Sequence, residues 1–422
     1  MKVEIIRGSR KQEGGNKKTI TIFLMSFVYP ATTGYLRRME LLINWANLRF
    51  KNINLIIPVG SNKMDYSQII NLHLIKCNQL FLIKYDSDNS KILSIKKLAY
   101  KLFTGKYPRM NSSLLLDSSL IKGFKEIMNN HQIDYFLNTR NNYAGLVSFI
   151  PDGVISLFDT QDVYSDMYRS FSLLNVNKFI KPLLIGYREK SELFQSEVLS
   201  LEKYNSIIAI SQSDLEKYKR IDSLGSKTTK IGSIGFEPAI NSVAKYTDKK
   251  YDLLLIASAF IATERGVDWL LNEVAPKLTI PVTLCVIGSI GKYIENNEYK
   301  KSNLKIIIKG VVKDLNPYYH KSKLVVLSML EGTGTSVKGL EALAFGAAII
   351  TTQYGVRSLG LTNGEQVVIE DDSSRFAEKI EYLMENKVKR ESLGLKALQF
   401  YKDHYSLKAT YELLDQLILD NT

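Results

Sequence analysis

Between Glu331 and Gly346 the chain reads EGTGTSVKGLEALAFG, a run of residue types suited to holding a phosphate. An apolar run ends near Met329, a glycine loop follows, and a helix is expected to begin about Ser336. Gly332 and Gly334 let the backbone approach a ligand closely. The amides of Thr335 and Ser336, at the positive end of the helix dipole, suit an anion. Lys338, in the first turn, adds a mobile positive charge able to neutralise a diphosphate leaving group. Glu341 lies three residues on, along the same face, where a carboxylate can accept hydrogen bonds from a ribose diol. The same two residues read equally well as a plain ion pair on the surface of a core helix.

Few other residues cluster in a way that does chemistry. Cys77 and Cys285 lie far apart without CxxC or metal-ligand spacing, and they read as reduced structural thiols. His73, His131, His320 and His404 show no HExxH-type pattern, so no metal site is expected. Asp86-Ser87-Asp88 forms a DxD string, but it follows a strand with no matching phosphate loop, and no metal role is expected there. The stretch SIKKLAYKLFTGKYPRM from Ser94 places Ile95, Leu98, Ala99, Leu102 and Phe103 at helical spacing. Lys96, Lys97, Lys101, Lys106 and Arg109 intervene. The stretch reads either as the solvated face of a core-packed helix or as a helix lying on a membrane surface.

The glycine loop needs a scaffold of alternating strands and helices, and the chain supplies two. In the first half, TITIFLMSF (from Thr19), INLIIPV (from Ile53), LFLIKY (from Leu80), DYFLNT (from Asp134), VISLFDT (from Val154) and SIIAIS (from Ser206) read as strands. Helix-length segments such as YLRRMELLINWANLRF, from Tyr35, lie between them. The pattern then restarts with LLLIAS (from Leu253), VTLCVIGS (from Val282), LKIIIKG (from Leu304), KLVVLSM (from Lys323) and AAIITTQ (from Ala347). Runs apolar on both faces and rich in β-branched residues suit buried parallel sheets. At 422 residues the chain exceeds what one core serves. The expected fold is therefore α/β with two Rossmann-like, doubly wound domains. The first spans 1–238, with 1–18 flexible, and the second 239–405. A final helix in 406–422 is expected to cross back to the first domain.

The net charge of +13 is uneven. Through Pro238 there are 33 Lys and Arg against 21 Asp and Glu, and beyond it 23 against 22. A basic half beside a neutral one implies that the first half meets something anionic, such as phospholipid headgroups, a lipid-linked phosphate or an acidic glycan. No nucleic-acid-binding signature accompanies the charge, and nucleic acid is not an expected partner. The first eighteen residues lack the apolar core of a signal peptide, and no stretch approaches the roughly 18 apolar residues of a spanning helix. A cytoplasmic protein, peripheral on the inner face of the membrane, is expected.

The segment from Glu331 resembles the retaining GT-B glycosyltransferases of family 4. Their donor helix reads G-x-G-x-x-x-K-x-x-E-A-L-A-x-G in one large branch. Gly332, Gly334, Lys338, Glu341, Ala342, Leu343, Ala344 and Gly346 match it position for position. The resemblance covers about Tyr251 to the end of the chain. It implies that Arg265, in SAFIATERGVDWLLNEVAPKL, meets the diphosphate, and that Gly310 and Val311 open the loop cradling the nucleobase. In the first domain, YPATTGYLRRME from Tyr29 resembles the family's glycine loop, bringing Gly34 and Tyr35 toward the cleft. DTQDVYSDMYR from Asp159 resembles a D-T-H-D-V loop with Gln161 in the histidine's place. Asp162 is then the candidate acceptor contact, a base in an inverting variant, or a helix N-cap. Two departures stand out. Position 333, eight before Glu341, is Thr333 where many relatives have a second glutamate, and Glu331 lies two residues too early for that role. Phe260 and Ala259 stand where many relatives carry an arginine before Arg265.

The resemblance implies two domains facing a cleft with a nucleoside-diphosphate sugar, such as a UDP- or GDP-sugar, between them. That sugar is the substrate, so no cofactor and no metal are called for. Arg265 and Lys338 would neutralise the diphosphate while a hexose-type sugar passes, with retention, to a glycan or lipid-linked acceptor in surface polysaccharide synthesis. A sugar-nucleotide epimerase of the same fold, or a non-catalytic binding subunit of a glycan-assembling complex, is the alternative.

Overall fold

Eight short strands of the first half assemble into one sheet. The computed structural model describes residues 3–8, 16–24, 34–60, 77–85, 116–160, 197–232, 249–331 and 336–421. The chain forms two units, Met1–Ile234 with Tyr411–Thr422, and Gly235–Thr410. In the first unit the strands are β1 (Val3–Arg7), β2 (Asn16–Phe23), β3 (Phe50–Gly60), β4 (Gln79–Tyr85), β5 (Tyr135–Asn138), β6 (Ile155–Asp159), β7 (Ser206–Ala209) and β8 (Thr228–Lys230). Their order is β1-β4-β3-β2-β5-β6-β7-β8. All neighbours run parallel except β1, which pairs antiparallel with β4. Flexibility was expected over the first eighteen residues; instead Val3–Arg7 forms an edge strand, with Val3 opposite Ile83. Its side chains are mostly exposed, so the segment carries no apolar run, and ladder hydrogen bonds hold it in place.

Between β2 and β3 runs α1 (Gly34–Arg49), which buries Leu36, Met39, Leu42, Ile43 and Trp45. Helix α2 (Ser118–Asn130) precedes β5, and Asp117 caps it by accepting from the amides of Ser119 (2.8 Å) and Leu120 (3.2 Å). Leu120, Phe124 and Ile127 of α2 pack on Phe81 and Phe136 of the sheet.

The second unit repeats the plan. Strands β9 (Tyr251–Ile256), β10 (Val282–Ile287), β11 (Leu304–Gly310), β12 (Ser322–Leu327), β13 (Ile349–Thr351) and β14 (Val368–Ile369) lie in the order β11-β10-β9-β12-β13-β14, all parallel. Helices α3 (Ile261–Trp269), α4 (Val337–Ala344), α5 (Ser373–Glu385) and α6 (Lys387–His404) follow the strands. The core joins Leu253, Leu284, Val286 and Val326 of the sheet to Val267 and Phe376 of the helices. Without its edge strands β1 and β8, the first sheet has the same order. In each, the chain winds one way from a central strand and then reverses, between β2 and β5 in the first and between β9 and β12 in the second. Ligands of open α/β sheets sit outside the carboxyl ends of the strands at such reversals.

Helix α7 (Leu407–Leu419) closes the chain. Asp415 accepts hydrogen bonds from the Trp45 indole (2.9 Å) and from Arg49 Nε (2.8 Å) on α1. Asn421 donates to Ser206 Oγ at 2.8 Å, so the end of the chain is tied into the first unit.

Candidate active site at the strand ends

In the second unit the loops leaving β9 and β12 come together at the reversal. Gly266 of α3 is what permits this: a Cβ there would lie 2.2 Å from Ser328 O, so only glycine lets the helix rest on the backbone leaving β12. Thr263 steadies the turn into α3, its hydroxyl donating to Ser258 O at 2.5 Å and accepting from Phe260 N at 3.2 Å. On the other side, Thr352 Oγ1 donates to Met329 O, and Thr351 Oγ1 to Leu327 O at 2.9 Å. The backbone before the glycine loop is therefore held from both sides.

Two cations converge on this edge, each already engaged. Lys338 Nζ donates to Glu341 Oε2 at 2.8 Å, with 35% of the lysine side chain exposed and none of the glutamate. The surface-pair reading does not hold, because Glu341 is buried in the apolar face of α4 with Leu340, Ala342 and Leu343. Arg265 Nη1 donates to Glu331 Oε1 at 2.5 Å, and both side chains are partly exposed. Glu331, set aside on spacing, is thus the arginine's partner. Ser336 is the N-cap of α4 and its Oγ accepts from Gly339 N at 3.2 Å. Gly332, Gly334 and Thr335 lie outside the described residues. Gly310 and Val311 lie at the same edge but at the end of β11, two strands from the reversal. Gly310 has φ +64°, a left-handed turn that favours glycine, and Val311 is 82% exposed. A cavity of about 340 Å³ beside this loop is lined by Lys250, Lys309, Lys313, Tyr251 and Tyr318. Burial pushes the Cys285 thiol up to about 11, against nearby Lys309 and Lys250, which keeps it protonated and inert.

The first unit's strand ends carry different chemistry. Thr139 Oγ1 donates to Phe23 O at 2.9 Å, tying β5 to β2 at the reversal, and Thr160 Oγ1 donates to Ile208 O at 3.1 Å. Asp159 ends β6 fully buried and receives Arg38 of α1 through Nη2 (2.8 Å) and Nε (3.3 Å), with Arg38 itself 3% exposed. The first aspartate of the DTQD string is therefore committed to the scaffold. Gln161 and Asp162 lie outside the described residues, as do Asp86–Asp88 and the basic stretch from Ser94. Gly34 and Tyr35 open α1. Tyr35 receives the Arg140 guanidinium over its ring, 3.8 Å from the centroid. Sequence reasoning missed Arg38 and Arg140. For Arg38 a signal existed, since an arginine among Leu36, Met39, Leu41 and Leu42 on a buried helix face needs a carboxylate partner.

Residues 251–386 match the family model described as Glycosyl transferases group 1. Over 391 residues the chain is 25% identical to the capsular polysaccharide biosynthesis glycosyltransferase CapM of Staphylococcus aureus, covering 86% of this chain and 93% of that protein. A 178-residue match, also 25% identical, links it to an uncharacterized 44.6 kDa protein in the cps region of Klebsiella pneumoniae, covering 38% of this chain but only 46% of that protein. Among solved structures, Anabaena Alr3699/HepE in complex with UDP aligns over 96% of this chain and 100% of its own, with a TM-score of 0.59 and 9% identity. That likeness is one of fold.

Proposed function

Because the chain is a glycosyltransferase of the GT-B architecture with a glycosyl transferases group 1 domain, we propose that it moves a hexosyl group from a nucleoside diphosphate to a glycan or lipid-linked glycan during assembly of a surface polysaccharide. The observation that carries the donor end of this reading is the buried Glu341 holding Lys338 at the start of α4, behind the β9/β12 reversal. Glu341 is closed to solvent and engaged by Lys338, and in this reading the lysine gives way when a ribose binds. The diphosphate supplies the reason to leave: Lys338 turns to the phosphates as Oε2 is freed for the ribose diol. Arg265 meets the same diphosphate and is released from Glu331, whose partly exposed ion pair contributes at most about 1 kcal/mol. The amides after Gly334, at the dipole's positive end, complete the cradle, and the base lies by Gly310 and Val311.

Charge on the leaving diphosphate is met in this reading by Arg265 and Lys338 without a divalent metal, so activity survives EDTA. Retention of configuration follows if the leaving phosphate takes the acceptor proton; Asp162 as base would instead give inversion. UDP as the nucleotide is supported by the complex seen for HepE, and a capsule-type product by the name of CapM. Among the described residues no helix is long and apolar enough to cross a membrane. The +12 charge through Pro238 supports docking of the first domain on an anionic bilayer, each Lys or Arg near it adding about 1 kcal/mol. Salt-sensitive sedimentation with anionic but not neutral liposomes tests that docking. The decisive experiment incubates the protein with UDP- and GDP-sugars and a glycan acceptor, follows free nucleoside diphosphate, and reads the new linkage by NMR. Nucleotide release with glycan extension is expected. Interconversion of the sugar nucleotide without release would make it an epimerase, and no turnover would make it a binding subunit.

A further inference from the structure

Two arginines stand at the strand ends of the first unit, and they are treated differently. Arg38 grips the buried Asp159 through Nε and Nη2. Arg140 follows β5 directly, next to the end of β2, to which Thr139 ties it. Its guanidinium lies over the Tyr35 ring at 3.8 Å, yet among the described residues no carboxylate, carbonyl or hydroxyl accepts from it. Its Nε is buried without a hydrogen-bond partner. A buried Nε–H with no acceptor is costly on a half-buried arginine, and a planar fork of N–H groups matches the two oxygens of a phosphate or carboxylate. The backbone around it is set. Arg140 N donates to Asn138 Oδ1 at 2.9 Å, and Asn138 Nδ2 donates to Tyr143 O and to Tyr204 Oη, both at 2.9 Å. Tyr143 packs on Phe23 and bonds Tyr85, and burial pushes its phenol up, so it stays neutral beside the cation.

We infer that Arg140 is an oxyanion-recognition residue that takes the phosphate or carboxylate of an anionic acceptor, with Tyr35 holding the guanidinium flat. The inference rests on reading the first domain as the acceptor side. It deepens that reading by making the acceptor charged at the end that enters the β2/β5 reversal. The position explains why the donors are left open: this is the ligand end of the sheet, and the carboxylate at the neighbouring strand end is already spent on Arg38.

The test uses the full chain with arginine 15N-labelled and the second unit saturated with UDP, so that its own phosphate site is filled. Inorganic phosphate, glucuronate and neutral glucose are titrated while the Arg140 Nε–Hε resonance is followed, assigned by its loss in Arg140→Lys. A shift with phosphate, with glucuronate or with both, and none with glucose or matched chloride, is expected; which anion shifts it identifies the acceptor's charged group. In isothermal titration calorimetry, which does not depend on that resonance, Arg140→Gln should weaken the responding anion about tenfold or more, and Arg140→Lys should fall between. UDP affinity in both variants reports on the fold. Should Arg140→Gln not fold, the resonance shift and Arg140→Lys still decide. An unmoved resonance, or equal anion affinity in wild type and Arg140→Lys, overturns the inference. Failure of UDP to bind counts against the donor reading alone and leaves the Arg140 resonance readable.

Discussion

Each unit buries a carboxylate near its strand ends against a cation, yet the two pairs are built in opposite ways. Asp159 and Arg38 are both closed to solvent, and the arginine grips the carboxylate through two nitrogens. Glu341 is equally buried, but its partner Lys338 is a single-point donor with about a third of its side chain in water. A bidentate pair sealed on both sides cannot exchange its cation without leaving a bare buried charge, so it serves as scaffold. A monodentate pair with one end wet can trade its lysine for a ligand and back. In the sequence the KxxE string carried the donor chemistry and the DTQD string offered Asp162, which lies outside the described residues, while its first aspartate, Asp159, is the one committed to Arg38. Burial separates them.

The comparison breaks most directly at Arg38. Arg38→Ala should cost about 3–5 kcal/mol in the unfolding of the first unit, because it strands Asp159. Joint replacement of Arg38 by Met and Asp159 by Leu should restore most of that in a denaturant titration. At Lys338 the larger loss should be in rate: Lys338→Ala is expected to lower turnover on the order of a hundredfold, with a smaller stability change than Arg38→Ala because water reaches the site. Equal stability losses in the two variants would erase the distinction between the sealed pair and the wet one. Gly266→Ala probes the backbone contact between α3 and the end of β12. Its Cβ would meet Ser328 O at 2.2 Å, so a loss of about 1–3 kcal/mol is expected, seen as a lower melting temperature.

The smallest effect should be on pH. Glu370 in the second unit is raised by burial but more strongly lowered by the Lys379 ammonium, the Asp372 amide and Arg375, and is held at about 2. A depressed folded-state pKa contributes stability above the ordinary value of 4.5, which is lost as pH falls from there toward 2. Thermal melts across that window should show a decline that Glu370→Gln flattens.

Much of the scaffold was legible in the chain because it depends on local pattern. Apolar runs such as LLLIAS and KLVVLSM, buried on both faces, mark central parallel strands whatever lies beside them. The glycine loop followed by VKGLEALA marked a strand-to-helix turn, and α4 begins there at Val337. An edge strand such as Val3–Arg7 is invisible to that pattern, since it is held by ladder hydrogen bonds and not by apolar faces.

The partners of the charges were not legible, and the reason is distance along the chain. Arg265 finds Glu331 across 66 residues and Arg38 finds Asp159 across 121, so these pairings exist only once the sheet order is set. The chain by itself determined two doubly wound sheets, a phosphate-suited helix start at Ser336 and a Lys338–Glu341 pair within one turn of that helix. Only the tertiary structure decided that Glu341 is sealed, that Asp159 is consumed by Arg38, and that Arg140 is left with a buried, unpartnered Nε. Burial and long-range pairing set how much a charge costs and therefore what it is free to bind, and neither is encoded in local spacing.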